Sequence, residues 1–72
     1  MEDENSKIYT LGRTIYSERR RCGYSQNELA EILDISREHL AKIETAKRTA
    51  SFELLIKIAE VLHVKVRDLI NF

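Results

Sequence analysis

The stretch QNELAEILDISREHLAKIET, from Gln26 to Thr45 and preceded by Ser25, decides how the chain folds. Its apolar or small residues fall at Leu29, Ala30, Ile32, Leu33, Ile35, Leu40, Ala41 and Ile43, with a break from Asp34 to Arg37. Two short helical runs separated by such a break have the form of a helix-turn-helix. Leu29, Ala30 and Leu33 turn one face of the first helix inward, Ile35 plugs the turn, and Leu40 with Ile43 do the same for the second. The small side chain of Ala30 lets the two helices approach closely. Left over on the second helix are Arg37, Glu38, His39, Ala41 and Lys42, a surface near its N-terminus that can donate, accept and make apolar contact. Such a set is suited to reading base edges in a DNA major groove.

Ser25-Gln26-Asn27-Glu28 reads as a capping box opening the first of these helices, and Asp34 stands where the turn needs a left-handed backbone. Ser36 caps the next helix, Arg37 to about Glu44. Arg37 opposes the dipole at that helix start, which suggests an external anion. The basic loop TAKRTA, Thr45 to Ala50, is either a solvated connector or a phosphate clamp in which Lys47, Arg48, hydroxyls and backbone N–H groups meet DNA. Ser51 then caps a fourth helix with the stripe Leu54, Leu55, Ile58, Ala59 and Leu62. After a turn at His63 to Lys65, a fifth helix is expected from Val66 to about Asn71, with Leu69 inward. Val64, Val66, Ile70 and Phe72 cannot all be buried in so small a core, so an apolar patch and a two-fold interface are expected there.

Upstream, Ile8, Leu11, Ile15 and Arg19 recur at helical spacing, which predicts a first helix from about Ser6 to Cys22, stopped by Gly23. Gly12 inside it costs about 1 kcal/mol relative to alanine, and a close helix crossing would account for it. Arg19 lies on the inward stripe, where it either snorkels to solvent or forms a buried ion pair.

Seventy-two residues make one small domain, expected over residues 8–72 behind a flexible acidic arm at 1–7. The single Cys22 allows no internal disulfide, and no metal-ligand spacing or cofactor motif is present. No secretory signal or membrane-spanning run is evident, so the chain is expected to be cytoplasmic. Net charge is zero, with 12 basic and 12 acidic residues, but its distribution is uneven. Arg13 to Arg21 and Ser36 to Thr49 are locally positive, whereas the helix carrying Glu28, Glu31 and Asp34 is negative. No nucleophile, base and orienting group stand together, so no enzyme and no small-molecule substrate are expected.

Taken together, L-G-x-x-I at Leu11 to Ile15, Arg19, G-Y-S-Q-N-E-L-A at Gly23 to Ala30, I-S-R at Ile35 to Arg37, Ile43-Glu44, and S-F-E-L-L-I-K-I-A-E-V-L ending at Leu62 resemble the Cro/C1-type, or XRE, helix-turn-helix family. The resemblance spans roughly residues 8 to 70. It implies an all-α, five-helix, lambda-repressor-like DNA-binding domain with the helix-turn-helix at helices 2 and 3 and the third helix in the major groove. It further implies that Arg37, Glu38, His39, Ala41 and Lys42 face bases, and that Arg19, Ser25, Gln26, Thr45, Lys47, Arg48 and Thr49 meet phosphates. Arg19 matches an arginine that pairs with the glutamate matching Glu44, which favours the ion pair over snorkelling. Three positions depart from the family pattern. Glu18 replaces an apolar residue, Ala46 a glycine after the recognition helix, and Ala50 a common proline. Without the glycine, the loop is expected to take another path or to prolong the helix.

These features predict a sequence-specific double-stranded DNA-binding transcriptional regulator, expected as a repressor and a homodimer on a palindromic operator. The alternative keeps the fold but makes it an antitoxin or adaptor that grips a protein partner through the C-terminal patch, with DNA binding secondary; co-purification of a second protein would favour it.

Overall fold

The structure, a computed structural model, describes residues 4–72, with residues 4 and 5 as backbone alone. The described residues form α1 (Glu4–Arg21), α2 (Gln26–Leu33), α3 (Arg37–Glu44), α4 (Phe52–Leu62) and α5 (Val66–Leu69), and no strand. This is the all-α, five-helix arrangement expected, with different ends. α1 begins at Glu4 rather than Ser6 and stops at Arg21, leaving Cys22 in the turn. Residues 4–7, assigned to the acidic arm, are therefore its first turn; the rest of that arm lies outside the described residues. α5 stops at Leu69 rather than Asn71, because Ile70, with φ −113° and ψ 32°, leaves the helical region.

Local chemistry sets the helix boundaries. Ser25, Ser36 and Ser51 each accept a hydrogen bond from the backbone N–H three residues on, at Glu28, His39 and Leu54, over 3.0, 3.0 and 3.1 Å. Each bond satisfies one of the donors that a helix start leaves unpaired, typically worth about 1 kcal/mol. The Ser25 N–H donates in return to Glu28 Oε1 at 2.8 Å, closing the capping box. Left-handed residues end the helices: Gly23 at φ 84° after α1, Asp34 at φ 59° after α2, and His63 at φ 59° after α4.

The core is built from Leu11 and Ile15 of α1, Leu29, Ala30 and Leu33 of α2, Leu40 and Ile43 of α3, the α4 stripe, and Leu69. At the α1–α3 crossing, a Cβ on Gly12 would lie 2.5 Å from the Ile43 carbonyl oxygen and 2.8 Å from that of Glu44. Only glycine permits that approach, which fixes the end of α3 against α1. Ile32 belongs to no inward face, being 52% exposed. Val64 and Val66 pack partly against the core, while Ile70 and Phe72 remain exposed. Phe52, 64% exposed, and Ile56 on α4 are further uncovered apolar residues to which the sequence pattern had not pointed.

Candidate nucleic-acid interface

α3 is eight residues long, and its position is dictated by Leu40 and Ile43, both essentially fully buried. Because the inward stripe takes these positions, residues three and four apart on the opposite side share an outward face. Arg37, Glu38, Ala41 and Lys42 line one shallow depression there, of about 290 Å³, together with Thr45 and Lys47 from the following turn. His39 does not join them. It lies in a separate depression with Asp34, Ile35, Ser51 and Lys57, on the side of α3 that faces α2 and α4.

A buried polar network stands behind this face. Arg19 grips Glu44 with two parallel hydrogen bonds, Nε to Oε2 at 2.7 Å and Nη2 to Oε1 at 3.0 Å. Its Nη1 donates to the Tyr24 carbonyl at 2.9 Å. The two residues are 6% and 3% exposed, so the ion pair, rather than snorkelling, is the arrangement adopted. Glu44 Oε1 also accepts from Gln26 Nε2 at 3.0 Å, and Gln26 Oε1 accepts from Arg37 Nη1 at 3.5 Å. Gln26, at the start of α2, is thereby held between the buried carboxylate and the first residue of α3. An unbroken set of hydrogen bonds joins α1, α2 and both ends of α3.

The loop after α3 takes neither of the courses expected for it without a glycine. Ala46 itself adopts the left-handed conformation, φ 63°, and the chain turns there as it would with glycine. The N–H groups of Ala46, Lys47 and Arg48 donate to the carbonyls of Ile43 and Lys42 at 3.2, 2.8 and 3.2 Å. The Thr45 hydroxyl donates to the Ala41 carbonyl at 2.7 Å. These groups complete the end of the helix, so in the chain by itself these N–H groups and this hydroxyl are engaged with backbone carbonyls. The side chains of Lys47 and Arg48 remain exposed. Thr49 lies elsewhere, in a groove with Lys7, Ile8, Leu11 and Phe72.

Two groups beside the helix ends are shifted by their neighbours. The Ser25 backbone N–H and then its hydroxyl hold the Glu28 carboxyl below the usual carboxylate range. Arg21 is raised, first by its hydrogen bond to Glu18 and then by that residue's charge. Glu18, the departure on α1, is thus paired locally with Arg21 at 2.6 Å. Among the described residues no group of three or more His, Cys, Asp or Glu side chains is placed to hold a metal, and no helix is long and apolar enough to cross a membrane.

A helix-turn-helix family model matches residues 15–69, well over half of the chain. The chain belongs to the Cro/C1-type (XRE) helix-turn-helix family. Its relatives include the HTH-type transcriptional regulator SinR of Bacillus licheniformis, 37% identical over 62 residues that make up 85% of this chain and 56% of SinR. An uncharacterised HTH-type transcriptional regulator of Rickettsia conorii, RC0668, is 40% identical over 52 residues, 72% of this chain and 42% of that protein. The chain thus spans about half the length of these relatives. Among solved structures, the master regulator for biofilm formation SinR in complex with DNA superposes with a TM-score of 0.77 at 37% identity, covering 82% of this chain and 95% of that one. The restriction-modification controller protein C.AhdI of Aeromonas hydrophila superposes with a TM-score of 0.81 at 26% identity, covering 86% and 94%. This XRE-family chain therefore has the fold of transcriptional regulators along nearly its whole described length.

Proposed function

We propose that the chain is a sequence-specific double-stranded DNA-binding transcriptional regulator acting as a homodimer on a palindromic operator, with α3 in the major groove. The observation that carries this reading is the gathering of Arg37, Glu38, Ala41 and Lys42 on one exposed face beside Lys47, with Gln26 held at its edge. Arg37 or Lys42 to guanine and Glu38 to cytosine N4 are the pairings that the donor and acceptor chemistry favours, and Ala41 offers apolar contact to a thymine methyl. Gln26, Arg19, Lys47 and Arg48 supply the phosphate contacts that fix register. Arg19 contributes mainly by holding Glu44 and, through it, the Gln26 amide. The likeness to SinR, whose solved structure contains DNA, supports the docking mode.

The exposed Ile70 and Phe72, continued by the half-buried Val64 and Val66, are the surface for the two-fold contact. Two-fold symmetry would set the recognition helices about 34 Å apart, one turn of DNA. Selection of bound duplexes from a random library tests the reading directly. Recovery of a palindrome with half-sites about one turn apart, bound less tightly as salt rises, is the expected result. A folded chain that enriches no sequence would refute it.

A further inference from the structure

Three guanidinium groups converge on one aromatic ring of α1. Arg13 Cζ lies 4.5 Å from the Tyr16 ring centroid, Arg19 Cζ 5.2 Å and Arg20 Cζ 5.7 Å. Arg20 Nη1 also donates to the Tyr16 hydroxyl at 2.9 Å. Like charges gathered this closely repel unless something offsets them. For Arg19 the offset is Glu44. Arg13 and Arg20, both exposed, have no carboxylate within ion-pair distance among the described residues, and the nearby Glu18 is paired with Arg21 instead. The ring quadrupole attracts these cations without cancelling their charge.

We propose that Arg13, Tyr16 and Arg20 form a second phosphate clamp, which takes the DNA sugar-phosphate backbone next to the segment read by α3. The inference rests on the DNA-binding reading above and adds to it residues outside the helix-turn-helix. Position supports it. Arg13, Tyr16 and Arg20 are spaced three and four residues apart, so they occupy one face of α1. That face adjoins the proposed interface, because Arg20 and Gln26 line the same open groove, about 530 Å³ in volume, with Arg19 at its wall. Arg13 and Arg20 are about 10 Å apart along the helix axis, room enough for each to take a phosphate of its own.

Tyr16 makes the clamp more than a solvated charged edge. Its face and hydroxyl hold two long side chains before any ligand arrives, which lowers the ordering cost of binding. A chain with no net charge gains little from general attraction to a polyanion, so preorganised phosphate contacts carry a larger share of its affinity.

The test uses the duplex recovered by selection and an unrelated duplex of equal length, titrated at several salt concentrations with wild type and with Arg13→Gln/Arg20→Gln. The expected result is a loss of affinity on both duplexes and a log K versus log salt slope shallower by about 2, one for each phosphate. The advantage of wild type then shrinks by roughly tenfold between about 50 and 200 mM salt. Neutral methylphosphonate links placed one at a time should weaken wild type at positions where the variant is indifferent. Should the double substitution unfold the chain, Arg20→Gln alone gives the same test, with a slope change of about 1. Wild type that selects a duplex while the variant keeps its slope and its methylphosphonate pattern overturns the clamp alone. Wild type that selects nothing overturns the regulator reading, and the clamp with it.

Discussion

Replacing Glu44 by alanine should destabilise the chain by about 3 to 5 kcal/mol, the range for breaking one side of a buried ion pair. Its carboxylate accepts from Arg19 Nε at 2.7 Å, from Arg19 Nη2 at 3.0 Å and from Gln26 Nε2 at 3.0 Å. Truncation would leave a guanidinium that is only 6% exposed with the Tyr24 carbonyl as its remaining acceptor. A domain of this length has a total stability of roughly 4 to 11 kcal/mol, at about 0.05 to 0.15 kcal/mol per residue. The single change therefore removes much of the margin and, at the low end, all of it. Arg19→Met combined with Glu44→Leu removes both charges and keeps apolar volume in place, so it should return to within about 1 kcal/mol of wild type or exceed it. Urea unfolding followed by far-ultraviolet circular dichroism reads both outcomes as midpoint shifts at constant slope. Two results would refute the reasoning. A loss below about 1 kcal/mol for Glu44→Ala would mean that the pair behaves as a solvated surface bridge. A double variant as unstable as the sum of the singles would mean that Glu44 supplies shape and not charge.

Other expectations follow from single residues. Ala46→Gly should stabilise by about 0.5 to 1 kcal/mol, because relief of a left-handed alanine worth about 1 to 2 kcal/mol exceeds the added unfolded-state entropy of about 0.4 to 1 kcal/mol; a lowered thermal midpoint would contradict the strain. Gly12→Ala should destabilise by about 1 to 3 kcal/mol despite a helix-propensity gain of about 1 kcal/mol, since the new Cβ would meet backbone oxygens that cannot give way; a raised urea midpoint would be the contrary result. The Glu28 carboxyl is depressed when folded, so its contribution is complete above the unfolded value of about 4.3 and is lost as pH falls through the folded one. The difference in thermal midpoint between wild type and Glu28→Gln should accordingly be constant near neutrality and shrink below about pH 4, and a difference independent of pH would count against the cap. Arg37→Ala or Lys42→Ala should weaken binding to the selected duplex by about 1 to 3 kcal/mol and relax preference at one base position, whereas equal loss on all duplexes would assign that residue to a phosphate.

The sequence was most informative where local chemistry is decisive. The three serine caps, the left-handed Asp34 and the inward faces of α2 and α3 all follow from residue type and spacing, and the structure has them. Family resemblance was needed to choose the Arg19–Glu44 pair, because spacing alone fits a snorkelling side chain equally well and the partners are 25 positions apart. The loop after α3 was less legible. Its course depends on whether alanine accepts a positive φ, which is a balance of about 1 kcal/mol that the residue name does not reveal. His39 was placed with Arg37, Glu38, Ala41 and Lys42 as a residue left over from the inward stripe and by family resemblance; in the structure it lines a different depression, with Asp34, Ile35 and Ser51. The Tyr16 cluster went unseen for another reason. Tyrosines on a helix usually mean packing, and although the three- and four-residue spacing puts Arg13, Arg19 and Arg20 on the Tyr16 side of α1, it does not say that the guanidinium groups turn toward the ring.

A net charge of zero is compatible with a polyanion partner because the two signs are used differently. Glu44 is buried against Arg19, Glu18 is tied to Arg21, Glu28 closes a helix cap, and Asp68 accepts the Lys65 N–H at the start of α5. These carboxylates are engaged in local structure, and among the described acidic residues only Glu38 lies in the depression on α3's outward face. Arg37, Lys42, Lys47 and Arg48 are exposed and form no ion pair among the described residues, and the same holds for Arg13 and Arg20 on α1. Folding thus leaves cations free on the side that carries α3, and only a short distance, about one Debye length or 8 Å at physiological salt, separates attraction from screening. Binding should therefore depend on contacts made at that face and respond to salt through their number, while the total charge, which twelve acidic residues spread over the whole chain bring to zero, is a poor guide to the partner.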